Sequence, residues 1–320
     1  MNVELYMVAA GFLIMEGDNL NNLFPNFRAK VFGAVIGGKQ CWVIVVSLLV
    51  LPTVWFNDLR VLSYVSATGV LASFLLLAAV FWTAVSDGSG AGDSPPANRR
   101  VVNWGGTPTA VSLYAFCYCA HPVFPTLYTS MKNPTHFSKF IVIVTRPKCK
   151  FNSVSTFTYA SMAVLGYLMF GSEALSQITL NLPTDKISSQ VAIYITLVNP
   201  IAKYALMVTP IVKAIENSFA LSDYGKKGFI CGLVIKTGLV ISTVIVAITV
   251  PFFGYLMSLV GAFFSTTASV ILPCLCFLKI SGIHRTAWFE VVVICGIVVM
   301  GVGFMVVGTY TALMEIVCNL

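Results

Sequence analysis

A histidine, two prolines and two cysteines interrupt an apolar stretch of the chain near residue 120. The tract reads Cys117-Tyr118-Cys119-Ala120-His121-Pro122-Val123-Phe124-Pro125. Neither proline has an N–H group, so in a helix the carbonyls of Tyr118 and His121, four residues earlier, would lose their donors. Free carbonyls beside an imidazole can hold a polar solute inside a membrane. A simple proline kink, with those carbonyls satisfied by water or a neighbouring helix, fits the tract equally well.

A second set of polar residues shares one face of the apolar segment 191–212. Thr196, Asn199 and Lys203 follow the spacing i, i+3, i+7, which places them on one side of a helix. Pro200 frees the carbonyl of Thr196 in the same segment. A lysine inside a membrane span usually faces the bundle interior and indicates function. The alternative is that Lys203 reaches the interface with its long stem, which its distance from both segment ends disfavours.

Three further ionisable residues are candidates for coupling or for simple solvation. The imidazole of His121 can exchange protons between pH 5 and 8, although a structural histidine bonded to a neighbouring hydroxyl fits as well. Glu4 directly precedes the first apolar segment and is only three residues from Met1, which makes its environment harder to predict. Glu16, beside Asp18 at the exit of that segment, is predicted to be a solvated residue at its mouth.

Small residues in the later segments are interpreted as packing residues. Cys117 and Cys119 are two residues apart, which places them on different faces of a helix and argues against a shared metal. Gly261, with Ser265 and Ser269, is typical of helices that approach closely in a membrane. Motifs of hydrolases, metalloproteases and nucleotide-binding loops are absent from the sequence. We therefore predict no enzyme activity, no cofactor and no metal site.

The composition is that of a membrane protein. The 320 residues are 58% hydrophobic and 10% charged, with mean hydropathy +0.88, whereas soluble domains carry roughly 25% charged residues. A spanning helix needs about 20 apolar residues, and nine segments qualify wholly or in part. They are residues 5–14, 41–55, 61–85, 111–128, 157–170, 191–212, 229–249, 252–278 and 288–313. The chain is predicted to be all-α and multi-pass in a lipid bilayer, and its net charge of +7 needs no nucleic acid as a partner.

One transmembrane domain, residues 1–320, contains two segments unlike the rest. The loop 87–103 is rich in glycine, serine and proline, and we expect it to be flexible because it has little apolar surface to bury. Residues 140–156 contain a short apolar run that is followed by several cations and a proline. Cations and proline are costly in a membrane interior. The segment is either a loop beside a re-entrant helix or an altered splice product. In both cases only residues 157–170 remain for the next helix.

Several longer tracts occur in an order typical of one transporter family. They are LYAFCYCAHPVFP at 113–125, TLNLP at 179–183 and VNPIAKYA at 198–205, with the shorter EGDNL, LPTVW and VPFFG at 16–20, 51–55 and 250–254. Together they resemble the amino acid/auxin permease family, in its plant vacuolar and vesicular inhibitory amino acid transporter-like branch. The likeness covers residues 2–139 and 157–319.

The resemblance implies a LeuT-like bundle of eleven helices with inverted repeats. Such a protein is a proton-coupled transporter, symporter or antiporter, of neutral or other small amino acids in a vacuolar or other endomembrane. Residues 119–122 would fall on the broken sixth helix of the family, and the face at 196–203 on its eighth. The first two helices of the family have no counterpart in this chain, and residues 140–156 replace part of its seventh helix.

The residues and the resemblance together give a set of site residues. Predicted substrate-binding residues are Tyr118, Cys119, Ala120, His121, Thr196 and Asn199. Candidates for proton or ion coupling are His121, Lys203 and Glu4, and predicted hinges are Pro122, Pro125 and Pro200. Because half of the family's site has no counterpart, the alternative is a truncated or splice-variant remnant that does not transport. The oligomeric state is left open.

Overall fold

The computed structural model describes residues 1–27, 29–31, 34–55, 59–86, 103–119, 121–124, 128, 150–219, 225–282 and 288–319. For residues 29–31, 34–36, 59–67, 150–153 and 225–227 it describes the backbone only. The predicted flexible loop 87–103 lies outside the described residues except for Asn103, as does the part of segment 140–156 that precedes Lys150.

Nine helices make up most of the described chain, and each overlaps one predicted segment. They are α1 (Asn2–Leu23), α2 (Gly38–Trp55), α3 (Leu59–Ser86), α4 (Thr107–Cys117), α5 (Lys150–Phe170), α6 (Ile187–Ser218), α7 (Gly225–Thr249), α8 (Phe253–Ser281) and α9 (Trp288–Asn319). Single 3₁₀ turns lie at His121–Val123, Gly171–Glu173 and Ile178–Leu180. A short antiparallel hairpin, β1 (Ala29–Val31) with β2 (Ala34–Ile36), joins α1 to α2.

Seven of these described helices are long and apolar enough to cross a membrane. The other two are α1, which carries Glu4, Glu16 and Asp18, and α4, which has only 11 residues. The prediction of an all-α, multi-pass integral membrane protein is confirmed. The hairpin between α1 and α2 is a small departure that the apolar pattern did not indicate.

Helix α5 is longer than its apolar segment predicted. It begins at Lys150 and has 21 residues, about 31 Å at 1.5 Å per residue, close to the thickness of a bilayer core. The expectation that only residues 157–170 would form this helix is wrong. Its first turn is polar, and such residues continue a helix at a membrane boundary even though they add nothing to the hydropathy signal.

Helix α1 is the axis of the bundle and packs against α2, α6, α7 and α8. Buried side chains of all five helices form one apolar cluster. Its members include Val8, Leu13, Val43, Val50, Tyr204, Val208, Val240, Met257 and Val260. Because α1 is enclosed by four helices, most of its side chains face protein, and a polar group on it needs a protein partner.

Helix α4 packs very closely against α8 and α9 at two glycines. A Cβ atom on Gly261 of α8 would collide with the carbonyl oxygen of Ser112 in α4, and one on Gly308 of α9 would lie 2.5 Å from the Ser112 hydroxyl. Glycine lets helix backbones approach closely, which is how helices in lipid associate. The expected close packing at Gly261 is confirmed, and it fixes α8 beside the end of α4.

Candidate functional site

The helix that contains the histidine tract is broken. Helix α4 ends at Cys117, the Cys119 N–H donates to the Phe116 carbonyl at 3.1 Å, and His121–Val123 form a single 3₁₀ turn. Pro122 has no N–H to donate to the Tyr118 carbonyl and disfavours α-helical backbone at His121, in line with the end of α4 before this proline. The predicted break is confirmed, although the helix ends about one turn earlier than the prolines alone indicate. Ala120 and Pro125 lie outside the described residues.

Glu4 of α1 accepts hydrogen bonds from two other parts of the chain. Its Oε1 accepts from the Cys119 thiol at 2.9 Å and from the Ser265 hydroxyl at 3.1 Å. The side chain is 2% exposed, and its Oε2 has no partner among the described residues. A buried carboxylate with two donors and a free oxygen can bind one further donor, such as an ammonium group.

Ser269 extends this arrangement to His121. Its hydroxyl lies 3.9 Å from the Cys119 Sγ, to which it donates, and 3.2 Å from the His121 Nδ1. The direction of the second bond depends on the histidine tautomer. We call Glu4, Cys119, Ser265, Ser269 and His121 the break network, because it joins α1, the broken end of α4 and α8.

The two serines of the break network lie where α8 is not a regular α-helix. Residues Val260–Ser265 and Thr267–Ile271 form π-helical turns, and the Thr266 hydroxyl donates to the Gly261 carbonyl five residues earlier at 3.0 Å. Such turns are rare and often mark functional sites. Sequence reasoning interpreted Ser265 and Ser269 as packing residues only. The four-residue spacing of these serines places two hydroxyls on one helix face, and this pattern could have indicated that they belong to the site.

The other predicted site residues lie apart from the break network. Tyr118 directs its hydroxyl to Thr156 of α5 at 3.0 Å. Thr196 donates to the Ala192 carbonyl within α6, and α6 continues through Pro200. Among the described residues, no hydrogen bond joins this face of α6 to Glu4, Cys119 or His121.

Asn199 and Lys203 pack against α3 at its glycine. The Asn199 amide donates weakly to the Ser73 hydroxyl at 3.5 Å, and a Cβ on Gly69 would lie 2.6 Å from the Asn199 Oδ1. The same Cβ would lie 3.7 Å from the Lys203 Cε. Among the described residues no carboxylate pairs with Lys203.

A second polar network surrounds the other end of α1. Asn19 donates to Gln177 at 3.1 Å and accepts from Thr179 at 2.6 Å, and the Gln177 amide donates to Asp18 at 3.3 Å. Lys39 pairs with Asp18 and donates to the carbonyl of Pro251. We call Asp18, Asn19, Lys39, Gln177 and Thr179 the exit network. Asp18, Lys39 and Gln177 line a cavity of about 620 Å³.

Glu16 lies between the two networks and belongs to neither. It is 2% exposed, and neither carboxylate oxygen has a hydrogen-bond partner in the described part of the chain. The expectation that Glu16 is solvated at the mouth of the first segment is wrong. Helix α1 continues for seven residues beyond it to Leu23, so Glu16 stays inside the bundle.

Known proteins that resemble this chain are amino acid transporters. Residues 1–314 match the family described as transmembrane amino acid transporter protein. Amino acid transporter AVT1J of Arabidopsis thaliana is 54% identical over 316 residues, which cover 99% of this chain and 72% of the relative. Amino acid transporter AVT1I of the same plant is 51% identical over 317 residues, 99% of this chain and 75% of the relative.

A more distant relative comes from an animal. Proton-coupled amino acid transporter-like protein pathetic of Drosophila melanogaster is 27% identical over 271 residues, which cover 82% of this chain and 54% of the relative. No solved structure matches the chain significantly. The family match extends over both polar networks and over the broken helix. The chain therefore belongs to the transmembrane amino acid transporter family.

Proposed function

We propose that this chain carries amino acids across a membrane and binds them at the break network. The observation that carries the proposal is the contact of Glu4 with Cys119 and Ser265 beside unwound backbone. The broken end of α4 presents carbonyls, and a helix C-terminus carries a partial negative charge. The free oxygen of Glu4 and this helix end both favour the ammonium group of an amino acid.

The carboxylate of the substrate needs donors on the opposite side of the site. Ser269 and His121, which contact each other at 3.2 Å, supply a hydroxyl and an imidazole. Opposite partial charges at the two ends of a zwitterion match the arrangement that broken helices provide in transporters. Neutral or other small amino acids fit this pattern, because the network offers one acidic group and no second carboxylate for a basic side chain.

Transport, and not catalysis, is the function that we propose. The family is one of transporters, and the bonds of Cys119 and Ser269 hold these groups in a closed network around Glu4. The two predicted site residues Thr196 and Asn199 would act from the α6 face, and they meet the break network only if α6 moves relative to α1.

Proton coupling and a vacuolar or other endomembrane location complete the proposal. Glu4 and His121 are titratable and belong to one hydrogen-bonded network, so a proton on one changes the bonds of the other. Lys203 remains the third coupling candidate. The Drosophila relative is named a proton-coupled amino acid transporter-like protein, and this name supports proton coupling. The location rests on the resemblance to plant vacuolar transporters.

Uptake by proteoliposomes that contain this chain tests the proposal. We expect uptake of a labelled neutral amino acid above that of empty liposomes, and faster uptake with an imposed pH gradient. Glu4→Gln should reduce uptake by roughly tenfold or more, because a charge-assisted bond contributes about 1.5–3 kcal/mol. Glu315→Gln is the matched control, since that carboxylate contacts Thr109 far from the break network.

The rival function makes the opposite prediction in the same assay. A folded, helical protein that gives no uptake and binds no amino acid would support the non-transporting remnant. Uptake that is equal in Glu4→Gln and in the unchanged chain would contradict the placement of the substrate site.

A further inference from the structure

Glu16 is a buried acid without any partner among the described residues. It follows Glu4 by twelve positions, which is about 18 Å along α1. Both side chains are 2% exposed, but Glu4 accepts two hydrogen bonds and Glu16 accepts none. A buried carboxylate without donors costs several kcal/mol, and the carboxylic acid form costs much less. Burial without donors therefore favours the protonated form of Glu16.

Charged groups on the helices around α1 do not compensate Glu16. Those with described side chains on α2, α6, α7 and α8 are Lys39, Lys203, Lys213, Glu216, Lys236 and Lys279. Lys39 is held by Asp18 and by the Pro251 carbonyl. Lys203 extends toward Gly69 of α3. Lys236 interacts electrostatically with Glu216, and Lys213 and Lys279 are on the distant halves of α6 and α8.

The other titratable groups that pack near α1 are also occupied elsewhere or lie at its opposite end. The Tyr204 hydroxyl contacts the Thr243 hydroxyl at 2.6 Å. His121 and Cys119 belong to the break network at the Glu4 end. On α1 itself, Asp18 is paired with Lys39. Among these described groups, none forms a hydrogen bond or an ion pair with Glu16.

The exit network brings polar groups to within one helical turn of Glu16. Asn19 follows Glu16 by three residues, so the two side chains lie on neighbouring parts of one helix face. Asn19 is bonded to Gln177 and Thr179, and Gln177 lines the cavity of about 620 Å³. Polar groups thus extend from the cavity along Gln177 and Asn19 toward the acid. The turn Ile178–Leu180 packs against α1, so its separation from α1 would expose this end of the helix to the cavity.

We propose that Glu16 takes up and releases a proton through the exit network during each transport cycle. The inference rests on the proposed proton-coupled function and adds a group that sequence reasoning placed in solvent. The proton binds to Glu16 in the conformation described here, where charge is excluded. It leaves when the exit network opens and water stabilises the carboxylate.

Glu16→Gln mimics the protonated acid and should therefore affect amino acid exchange at equal pH and uptake driven by a pH gradient differently. We expect exchange of labelled for unlabelled amino acid at equal pH to stay within about threefold of the unchanged chain. Stimulation of uptake by a pH gradient should disappear, because an amide cannot release a proton. Glu290→Gln, which changes an exposed carboxylate in the first turn of α9, is the control and should keep both exchange and gradient stimulation.

The outcomes separate this inference from the proposed function. Gradient stimulation that persists in Glu16→Gln overturns the role of Glu16 while proton coupling stands. If the unchanged chain itself shows no gradient stimulation, proton coupling is overturned and the role of Glu16 falls with it.

Infrared difference spectroscopy provides a second test that does not need the variant to transport. The unchanged chain at neutral pH should show the carbonyl band of a buried carboxylic acid, which Glu4→Gln retains and Glu16→Asp shifts. The same band should disappear in alkaline buffer. A neutral-pH spectrum without that band, or a band that Glu4→Gln removes, would contradict the proposal.

Discussion

The two glutamates of α1 differ in their partners and not in their burial. Glu4 lies where α4 and α8 supply a thiol and a hydroxyl, and Glu16 lies where no described residue supplies a donor. Both are 2% exposed and on the same helix. The Glu4 site therefore offers donors to a carboxylate and the Glu16 site offers none, so burial acts without compensation only at Glu16.

The comparison shows why burial alone does not assign a role to a membrane acid. An acid with donors is a fixed binding group, because its neighbours are arranged around its charge. An acid without donors is stable only when it is protonated, so any conformational change that admits water also changes its charge. One helix that carries both kinds of acid can connect substrate binding at one end with proton release at the other.

The largest expected effect is an opposite change in stability at the two acids. Glu4→Met leaves the Cys119 thiol and Ser265 hydroxyl without their acceptor and should lower the unfolding free energy by about 2–3 kcal/mol. Glu16→Met replaces an unpartnered acid by an apolar side chain of similar volume and should be neutral or stabilising. Thermal unfolding in detergent measures the stability of both variants. Equal destabilisation by the two substitutions would contradict the difference between the two glutamates.

A somewhat smaller effect is expected where α8 touches α4. Gly261→Ala places a methyl group against the Ser112 carbonyl and should cost about 1–3 kcal/mol, because overpacking displaces helices. The displacement should weaken amino acid binding at Glu4 and leave the infrared band of Glu16 unchanged. Gly296→Ala, which meets nothing within 4 Å, is the control. A lost Glu16 band in Gly261→Ala would mean that the two ends of α1 are not independent.

Ser269→Ala should have an effect of about 1 kcal/mol, the contribution of a single neutral hydrogen bond. It removes the contact between His121 and the rest of the break network, and thereby tests the role of that histidine. If His121 exchanges the coupled proton, the pH profile of uptake shifts. If the imidazole is only structural, uptake decreases at every pH by the same factor, and pH-resolved uptake distinguishes the two results.

The smallest effect is expected on the α6 face. Lys203→Met removes the charge and keeps most of the stem, which packs toward Gly69 of α3 and away from the break network. Uptake should decrease less than in Glu4→Gln and remain within about threefold of the unchanged chain. A larger loss of uptake than that of Glu4→Gln would indicate that the coupling group lies on α6 and not on α1.

The sequence predicts the helices and the break better than it predicts the contacts of the acids. Apolar segments and the helix-breaking residue Pro122 are local features of the sequence, and the described helices overlap the predicted segments, with α4 ending before Pro122. The bond between Ser265 and Glu4 joins residues 261 positions apart, so no local pattern contains it. Glu16 was misplaced because Gly17, Asp18 and Asn19 have the composition of a helix exit. Their polar groups are instead satisfied by Lys39 and the distant loop at Gln177 and Thr179.

The contact between Gly261 and Ser112 limits how the bundle can rearrange. Two helices whose backbones touch cannot slide past each other without separating, so the stub of α4 and the middle of α8 must travel as one rigid body. Their contact with Glu4 consists of side-chain hydrogen bonds, which exchange partners easily. Rocking of this rigid body against α1 would therefore break and re-form the hydrogen bonds of Glu4 while the broken helix keeps its shape.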